Sequence, residues 1–336
     1  MKSRTAWSEI ADLLAREQAK SPQAGIYETS TRASIDRLIA VIESTCNRLR
    51  LPIRNNSVVS GMSSELGVDI GQMRVLDASG VTNVSIIRPT AMYFNFYNTI
   101  AKLLARSLLH SGTTIIFNRE LINMHVRSSP QLVTAWTMTV AMYAAYGCPP
   151  PFQVLPPTGQ AIQTWNEMVD AHDLFAVAHE YGHHALNHDT QQTGEDRASN
   201  FRKEFDADYF GQFISQAVAR SLLQSNRFAR FGGGAVISLC ANEILMRAKS
   251  VLSNGLVSYS ASDSHPSTAN RVRALSRLYF YLPAEYQIQA GMFRLSLFRL
   301  FGLIWAIVLP GLLECRARGL QPVARRDRDA GGWLPG

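Results

Sequence analysis

Two histidines one helical turn apart are the residues in this chain that point most clearly to chemistry. His179 and His183 belong to the run His179-Glu180-x-x-His183. In an α-helix, residues four apart lie about 40° apart around the axis, so both imidazoles point the same way and can bind one metal ion. The pattern is short and also arises by chance, so its surroundings decide what it means.

The surrounding residues predict a helix that carries both histidines. Thr164 and Glu167 fit a capping box at its start. A stripe at helical spacing follows, made of Met168, His172, Phe175, His179, His183 and Leu186. We expect the helix to run to about Asn187 with the two histidines on its inward face. Gly182 inside it costs about 1 kcal/mol relative to Ala, which predicts the close approach of another element.

Carboxylates further along the chain can supply a third metal ligand. A zinc site for hydrolysis needs three protein ligands and one open position. Glu204 and Asp208 are four apart and follow a polar stretch at 189–200 that is expected to be a loop. Glu204 can complete the metal shell, while Asp208 can accept the Nδ1–H of a ligating histidine. Glu195 and Asp196 are rival donors in the loop that would give a looser site.

The combination of HExxH with ExxAD about 20 residues later resembles the M48 zinc metallopeptidases, whose third ligand is glutamate. The segment Ser264-His-Pro-Ser-Thr-Ala-Asn-Arg271, followed by Val272 and Leu275, is similar to a His-Pro segment of that family. The resemblance covers roughly residues 165–280. We therefore expect an α+β, predominantly helical protein with a zincin-like metallopeptidase core.

The resemblance implies roles for the residues of this chain that match the two motifs. His179, His183 and Glu204 would bind one zinc ion, Glu180 would be the general base and Asp208 would orient a ligand. Zinc lowers the pKa of its bound water to about 7, and Glu180 could take the water's proton and pass it to the leaving amine. The expected function is that of a zinc-dependent metalloendopeptidase acting on a protein or peptide.

His265 and Arg271 are further candidates for the catalytic site. Either side chain could stabilise the oxyanion that forms in peptide hydrolysis. Alternatively, Arg271 could pair with Glu204 or Asp208 in a helix that starts after Pro266.

Three other histidines are expected to have no direct role. His172 lies on the same helical face as the metal-binding pair and is expected to be a core histidine, with a place behind the ligands or on the substrate side as the alternative. His184 and His188 are expected to face solvent or to pack elsewhere, because His184 is turned about 100° from His183.

The remaining elements are expected to position this core. Residues 1–160 should form a mostly helical region that docks on a metallopeptidase core at 161–290, followed by an apolar helix at 291–315 and a basic disordered tail at 316–336. In the first region we predict helices at 1–20, 31–50 and 93–109, strands at 81–87 and 113–117, and an edge strand or extended loop at 152–155. That last segment could pair with an extended peptide substrate.

Composition excludes several classes of protein. With 46% hydrophobic and 18% charged residues, the chain can bury a large core and is neither disordered nor fibrous. Part of the net charge of +7 lies in the basic tail, which leaves the rest of the chain only mildly basic. Because a nucleic-acid binder clusters its positive charge on one face of a folded module, no nucleic-acid partner is expected. Four widely spaced cysteines without a CxxC pair exclude a disulfide framework, and together with the lack of a signal-peptide pattern they favour the cytoplasm.

The C-terminal segment at 295–318 leaves membrane association open. Its uncharged part at 300–313 is shorter than the roughly 20 residues that a spanning helix needs. Four arginines flank or interrupt it and could meet anionic head groups: Arg294, Arg299, Arg316 and Arg318. A buried or amphipathic helix is the alternative.

Two other functions remain open from the sequence. One is a catalytically silent protein that keeps the zincin fold for binding or regulation. The other is a soluble peptidase of the Lit-like phage-exclusion type, which has a similar HExxH core. Glu180 argues against the silent protein, because a structural zinc site needs no base and usually has four protein ligands.

Overall fold

The computed structural model describes residues 24–51, 58–60, 68–77, 80–89, 91–150, 152, 154–188, 197–223, 225–257 and 266–322. Within these ranges the protein is predominantly helical, as expected. The helices are α1 (Ala24–Leu49), α2 (Ala91–Ser107), α3 (Arg119–Arg127), α4 (Pro130–Tyr146), α5 (Gln160–Ala185), α6 (Arg197–Ser221), α7 (Arg227–Arg230), α8 (Gly233–Asn254), α9 (Thr268–Leu275) and α10 (Ala284–Ala317), with a 3₁₀ segment at Ser276–Tyr281. The helix predicted at 1–20 lies outside the described residues.

The strands form two small sheets. In the first, β3 (Gly80–Pro89) lies between β1 (Val58–Ser60), which is parallel to it, and β2 (Val68–Asp77), which is antiparallel. In the second, β4 (Leu109–Ser111) and β5 (Thr114–Ile116) form a hairpin. The strands predicted at 81–87 and 113–117 are therefore confirmed, whereas β1, β2 and β4 were not expected.

Helix α5 is the centre of the fold because it lies between two hydrophobic clusters. Met168 and Ala171 join a large cluster with residues of α2, α4, α8 and α10. Leu174, Val177 and Tyr181 join a second cluster with α1, β3 and α6. Since the helix is enclosed on most sides, its histidines lie between protein layers rather than at an open surface.

The predicted start of this helix is wrong. Helix α5 begins at Gln160 after Gly159, and Thr164 lies one turn inside it. Thr164 is fully buried, with its hydroxyl 2.9 Å from Nε2 of His110. Glu167 accepts hydrogen bonds from the backbone nitrogen and Nε of Arg227, both at 3.2 Å. Thr164 and Glu167 therefore bond to residues far away in the sequence and do not form the reciprocal hydrogen bonds of a capping box.

The uncharged stretch before α5 is largely interior. Most of α4 is buried in the large hydrophobic cluster. At 152–155, none of the described residues belongs to a strand, so the loop alternative holds there. Five prolines flank the segment, and a proline nitrogen cannot donate a hydrogen bond to a neighbouring strand.

The C-terminal helix is longer than predicted. Helix α10 starts at Ala284 rather than 291, so the expected domain boundary at 290 falls inside a continuous helix. It packs on α4, α8 and α3. Within the described ranges it is the one helix long and apolar enough to cross a membrane, and half of its most apolar window is buried in the protein. Of the predicted tail, residues 316–322 are described, and the first two of them are helical.

Candidate metal centre

Close packing of α5 against α6 brings the predicted ligands together. A Cβ atom added to Gly182 of α5 would lie 3.1 Å from Cβ of Phe210. One added to Gly211 of α6 would lie 3.0 Å from the backbone nitrogen of His179. Both distances are shorter than ordinary van der Waals contact, so the two glycines let the helices approach further than larger residues would. The close approach predicted from Gly182 is confirmed.

Three side chains on these helices direct their donor atoms to a common point. Nε2 of His179 and Nε2 of His183 are 3.3 Å apart. Oε2 of Glu204 lies 3.7 Å from Nε2 of His179, and its Oε1 lies 3.6 Å from Nε2 of His183. This is the triad expected from the sequence, at distances compatible with metal ligation. The rival donors Glu195 and Asp196 lie outside the described residues.

Behind the triad, Asp208 connects His179 to Arg271. Oδ1 of Asp208 lies 3.1 Å from Nδ1 of His179, the ring nitrogen that does not face Glu204. Arg271 donates from Nε and Nη2 to the two oxygens of Asp208, both at 2.7 Å. Its Nη2 also lies 3.2 Å from Oε2 of Glu204. Arg271 thus pairs with both carboxylates, which the sequence had offered as alternatives.

Arg271 comes from a third element, α9. Ser267 begins this helix by accepting a hydrogen bond from the backbone nitrogen of Asn270. The predicted helix start after Pro266 is therefore confirmed. His265 lies outside the described residues, and its catalytic role stays a prediction that the kcat of a His265→Ala variant can test.

Burial and charge set the protonation of these groups. Burial, reinforced by the neighbouring His179, lowers the pKa of His183 to about 2. Burial alone would lower the pKa of His179, but its contact with Asp208 outweighs this and raises it. For Asp208, the penalty of burial is outweighed by Arg271, which holds its pKa at about 2. At neutral pH, His183 is therefore neutral, as a ligand must be, and Asp208 is ionised.

Glu180 is partly buried and lies beside the triad on α5. Its charge adds to that of Asp208 in raising the pKa of His179. It also contributes, after Asp208 and Glu204, to keeping Arg271 protonated against the effect of burial. The Glu180 carboxylate therefore influences the charges of the centre, but it is not one of the three converging donors.

Comparisons with known proteins found no relative of this chain. No family model, curated protein or solved structure matches this chain.

The donor set can instead be compared with what a metal ion requires. A tetrahedral zinc ion with bonds of about 2.0–2.2 Å holds its ligand atoms about 3.3–3.6 Å apart. The two histidine nitrogens are 3.3 Å apart, which is within that range, and each lies 3.6–3.7 Å from a different oxygen of Glu204, so the three side chains can converge on one ion. The centre also gathers three carboxylates, those of Glu180, Glu204 and Asp208, near the guanidinium of Arg271. Two imidazoles and one carboxylate therefore fit a divalent metal ion.

The other histidines of α5 have separate surroundings. His172 is buried, stacks on Tyr97 with ring centroids 3.8 Å apart, and lies 2.7 Å from Asp173, as expected of a core histidine. His184 is fully buried, with Nδ1 2.7 Å from the hydroxyl of Ser85 on β3. It therefore packs elsewhere, which was one of its two expected outcomes.

His188 was expected to face solvent or to pack away from the metal-binding pair, and it does neither. Its Nδ1 lies 3.3 Å from Nδ1 of His183, so it contacts a candidate ligand. Asn187 directly before it adopts a left-handed conformation with φ 62°. An asparagine just after a predicted helix is a recognised signal for such a turn, and it could have indicated that His188 folds back on the helix.

Proposed function

We propose that this protein is a zinc-dependent metalloendopeptidase with a zincin-like core. The observation that carries the proposal is the convergence of Nε2 of His179, Nε2 of His183 and the carboxylate of Glu204. Within the described residues these are the three donors of the cluster. Three protein ligands with one position left open is the donor set of a catalytic zinc site rather than a structural one.

Each residue of the centre has a chemical task in this proposal. Zinc held by the triad supplies a Lewis acid, which acidifies water and polarises a carbonyl group. Glu180, at the edge of the same site, takes the proton from the attacking water and delivers it to the leaving amine. Asp208 accepts the Nδ1–H of His179, which keeps Nε2 of that ring free to ligate.

Arg271 supports the centre electrostatically. Asp208 is 1% exposed, and a buried carboxylate without a partner would be strongly destabilising. The paired donors of Arg271 compensate this charge, and Oδ1 of Asp208, which accepts from Nη2 of Arg271, also faces Nδ1 of His179. Its contact with Glu204 restricts the position of the third ligand. This makes Arg271 a positioning residue, while oxyanion stabilisation by its guanidinium stays a prediction.

The first sheet suits an extended peptide substrate. Among the described strands, β2 pairs only with β3, so its other edge offers backbone donors and acceptors. The sheet packs on α5, where β3 reaches the helix through Ser85 and His184. A peptide added to β2 would pair through its main chain, which recognises peptides with little dependence on sequence. This edge is an alternative to the segment 152–155, whose pairing with a peptide stays a prediction.

The proposal is tested by changing the base without changing the ligands. Glu180→Gln keeps the shape of the side chain but cannot take a proton, so it should retain zinc and lower kcat about 10²- to 10⁴-fold. Cleavage of a peptide library, followed by mass spectrometry with and without a chelator, measures the loss. Glu243→Gln on α8 is the matched control, since Glu243 pairs with Arg247 outside the centre.

The outcomes separate the proposal from its rival. Turnover by Glu180→Gln at the wild-type rate would remove Glu180 as the base. A wild-type protein with one bound zinc and no cleavage of any peptide would favour the catalytically silent binding or regulatory protein. Substrate trapping with Glu180→Gln would identify the natural substrate.

We also propose that α10 attaches the protein to the surface of an anionic membrane. Seven of its exposed positions lie within about 40° of one line along the helix: 288, 292, 295, 299, 302, 306 and 313. Ile288 and Met292 on this stripe are 77% and 63% exposed. Arg299 lies within the stripe and Arg316 near its end, where they can meet lipid head groups. Because the opposite side of the helix is buried, this favours attachment at the surface over a crossing.

A further inference from the structure

The end of α5 folds the chain back onto a candidate ligand. The backbone nitrogen of Asn187 donates to the carbonyl of His184 at 3.0 Å, and that of His188 donates to the carbonyl of His183 at 2.7 Å. With Asn187 at φ 62°, these two bonds form a Schellman motif. This motif brings its last residue against the residue five positions earlier, so His188 is placed over His183 by the backbone itself.

The contact made by this motif is chemically unusual. In a Schellman motif the two residues that meet here frequently form a hydrophobic contact. Here they are two imidazoles with centroids 5.5 Å apart, and Nδ1 of each ring faces the other at 3.3 Å. Nε2 of His183 faces His179 and Glu204. Nδ1 is therefore the ring nitrogen of His183 that remains for a second partner.

The two histidine ligands consequently have different partners. A ligating histidine usually donates its second ring N–H to a carboxylate, carbonyl or water, which fixes its tautomer and orientation. For His179 that partner is Asp208, at 3.1 Å. For His183 the group in the corresponding place is His188. A neutral imidazole protonated on Nε2 has an acceptor at Nδ1, so it can serve the same purpose.

We propose that His188 is a positioning residue of the metal centre. Its Nδ1 accepts the Nδ1–H of His183 and so keeps the lone pair of Nε2 directed at the metal. The inference rests on the proposed zinc site, and it concerns metal affinity rather than the reaction. Asn187 takes part indirectly, because its left-handed conformation places His188.

The test measures zinc affinity by competition with a chromophoric chelator, without any substrate. Losing an outer partner of a ligating histidine typically weakens metal binding 10- to 100-fold, and we expect this range for His188→Ala. His188→Asn should restore most of the affinity, because its amide oxygen can occupy the place of Nδ1. If His188→Asn restores zinc binding, the loss in His188→Ala is due to the missing hydrogen-bond acceptor and not to a folding defect.

A second pair of variants tests the same idea through the backbone. Asn187→Gly keeps a residue that adopts positive φ easily and should bind zinc like the wild type. Asn187→Val opposes that conformation and should weaken binding as His188→Ala does. If wild type binds zinc and His188→Ala binds it equally well, the inference is wrong while the proposed function stands. If wild type binds no zinc, the proposed metal centre itself is wrong.

Discussion

Gly211 of α6 lies against the backbone of His179, so close that a methyl group in its place would be 3.0 Å from the nitrogen and 3.1 Å from Cα of that ligand. The atoms in contact belong to the helical backbone, which cannot rotate away as the end of a long side chain can. The spacing between the histidine helix and the helix that carries Glu204 and Asp208 therefore depends on this glycine.

We predict that Gly211→Ala separates the two helices and weakens the centre. Overpacking of this kind costs about 1–3 kcal/mol, which offsets the roughly 1 kcal/mol that alanine gains over glycine in a helix. Zinc affinity should fall because Glu204 moves away from the histidines. Urea denaturation of the metal-free protein and chelator competition measure the two effects.

Gly302→Ala in α10 is the matched control for this prediction. Gly302 is also a helical glycine, but an added Cβ meets nothing within 4 Å. This variant should be slightly more stable than wild type and should bind zinc normally. Equal gains in stability at both positions, with unchanged zinc affinity, would contradict the role given to Gly211.

Removal of Arg271 should be strongly destabilising. Arg271→Met leaves the buried carboxylate of Asp208 without its partner, and such a change typically costs 3–5 kcal/mol in the free energy of unfolding. Adding Asp208→Asn to it should recover part of the loss, because the uncompensated charge is then gone. Chemical denaturation of the two single variants and the double variant measures this coupling.

An exposed ion pair provides the comparison for Arg271. Arg318 pairs with Glu314 at the end of α10, and both side chains are well exposed. Arg318→Met should change the free energy of unfolding by less than about 1 kcal/mol. A similarly small effect of Arg271→Met would mean that the buried network contributes little.

Metal removal should lower the thermal stability of the wild-type protein. A ligand that binds only the folded state adds about 4.1 kcal/mol when present at 1,000 times its Kd. A chelator should therefore lower Tm, and zinc should restore it. His183→Ala should respond much less to either addition, whereas Glu180→Gln should respond like wild type. Identical melting curves with zinc and with chelator would argue against a metal centre.

Binding to lipid vesicles should depend on the exposed stripe of α10. We predict that the protein sediments with vesicles containing phosphatidylserine and that Ile288→Glu combined with Met292→Glu abolishes this. Both side chains point to solvent, so folding should be unaffected. Leu222→Glu is the control, because Leu222 is 64% exposed and lies just after α6, away from the stripe. Sedimentation of the double variant at the wild-type level would exclude this stripe as the attachment site.

Local regularities of the chain were sufficient to predict the elements of the centre. The helix repeat places His179 with His183 and Glu204 with Asp208 on common faces, whatever surrounds them. The same reasoning predicted β3 from its alternating pattern and α9 from the residues around Pro266. It failed at the start of α5, where the capping-box pattern of Thr164 and Glu167 competes with their contacts to His110 and Arg227.

From the sequence alone it followed which side chains share a helix face, because the backbone repeat is rigid and local. The sequence suggested a close approach at Gly182 and a third ligand at Glu204, but the tertiary structure decided how closely the faces meet and with which atoms. Gly182 and Gly211 bring α5 and α6 together, Arg271 arrives from a third helix, and the left-handed Asn187 turns His188 onto His183. These relations depend on packing between residues far apart in the chain or on a single backbone dihedral angle, and neither leaves a periodic pattern in the sequence.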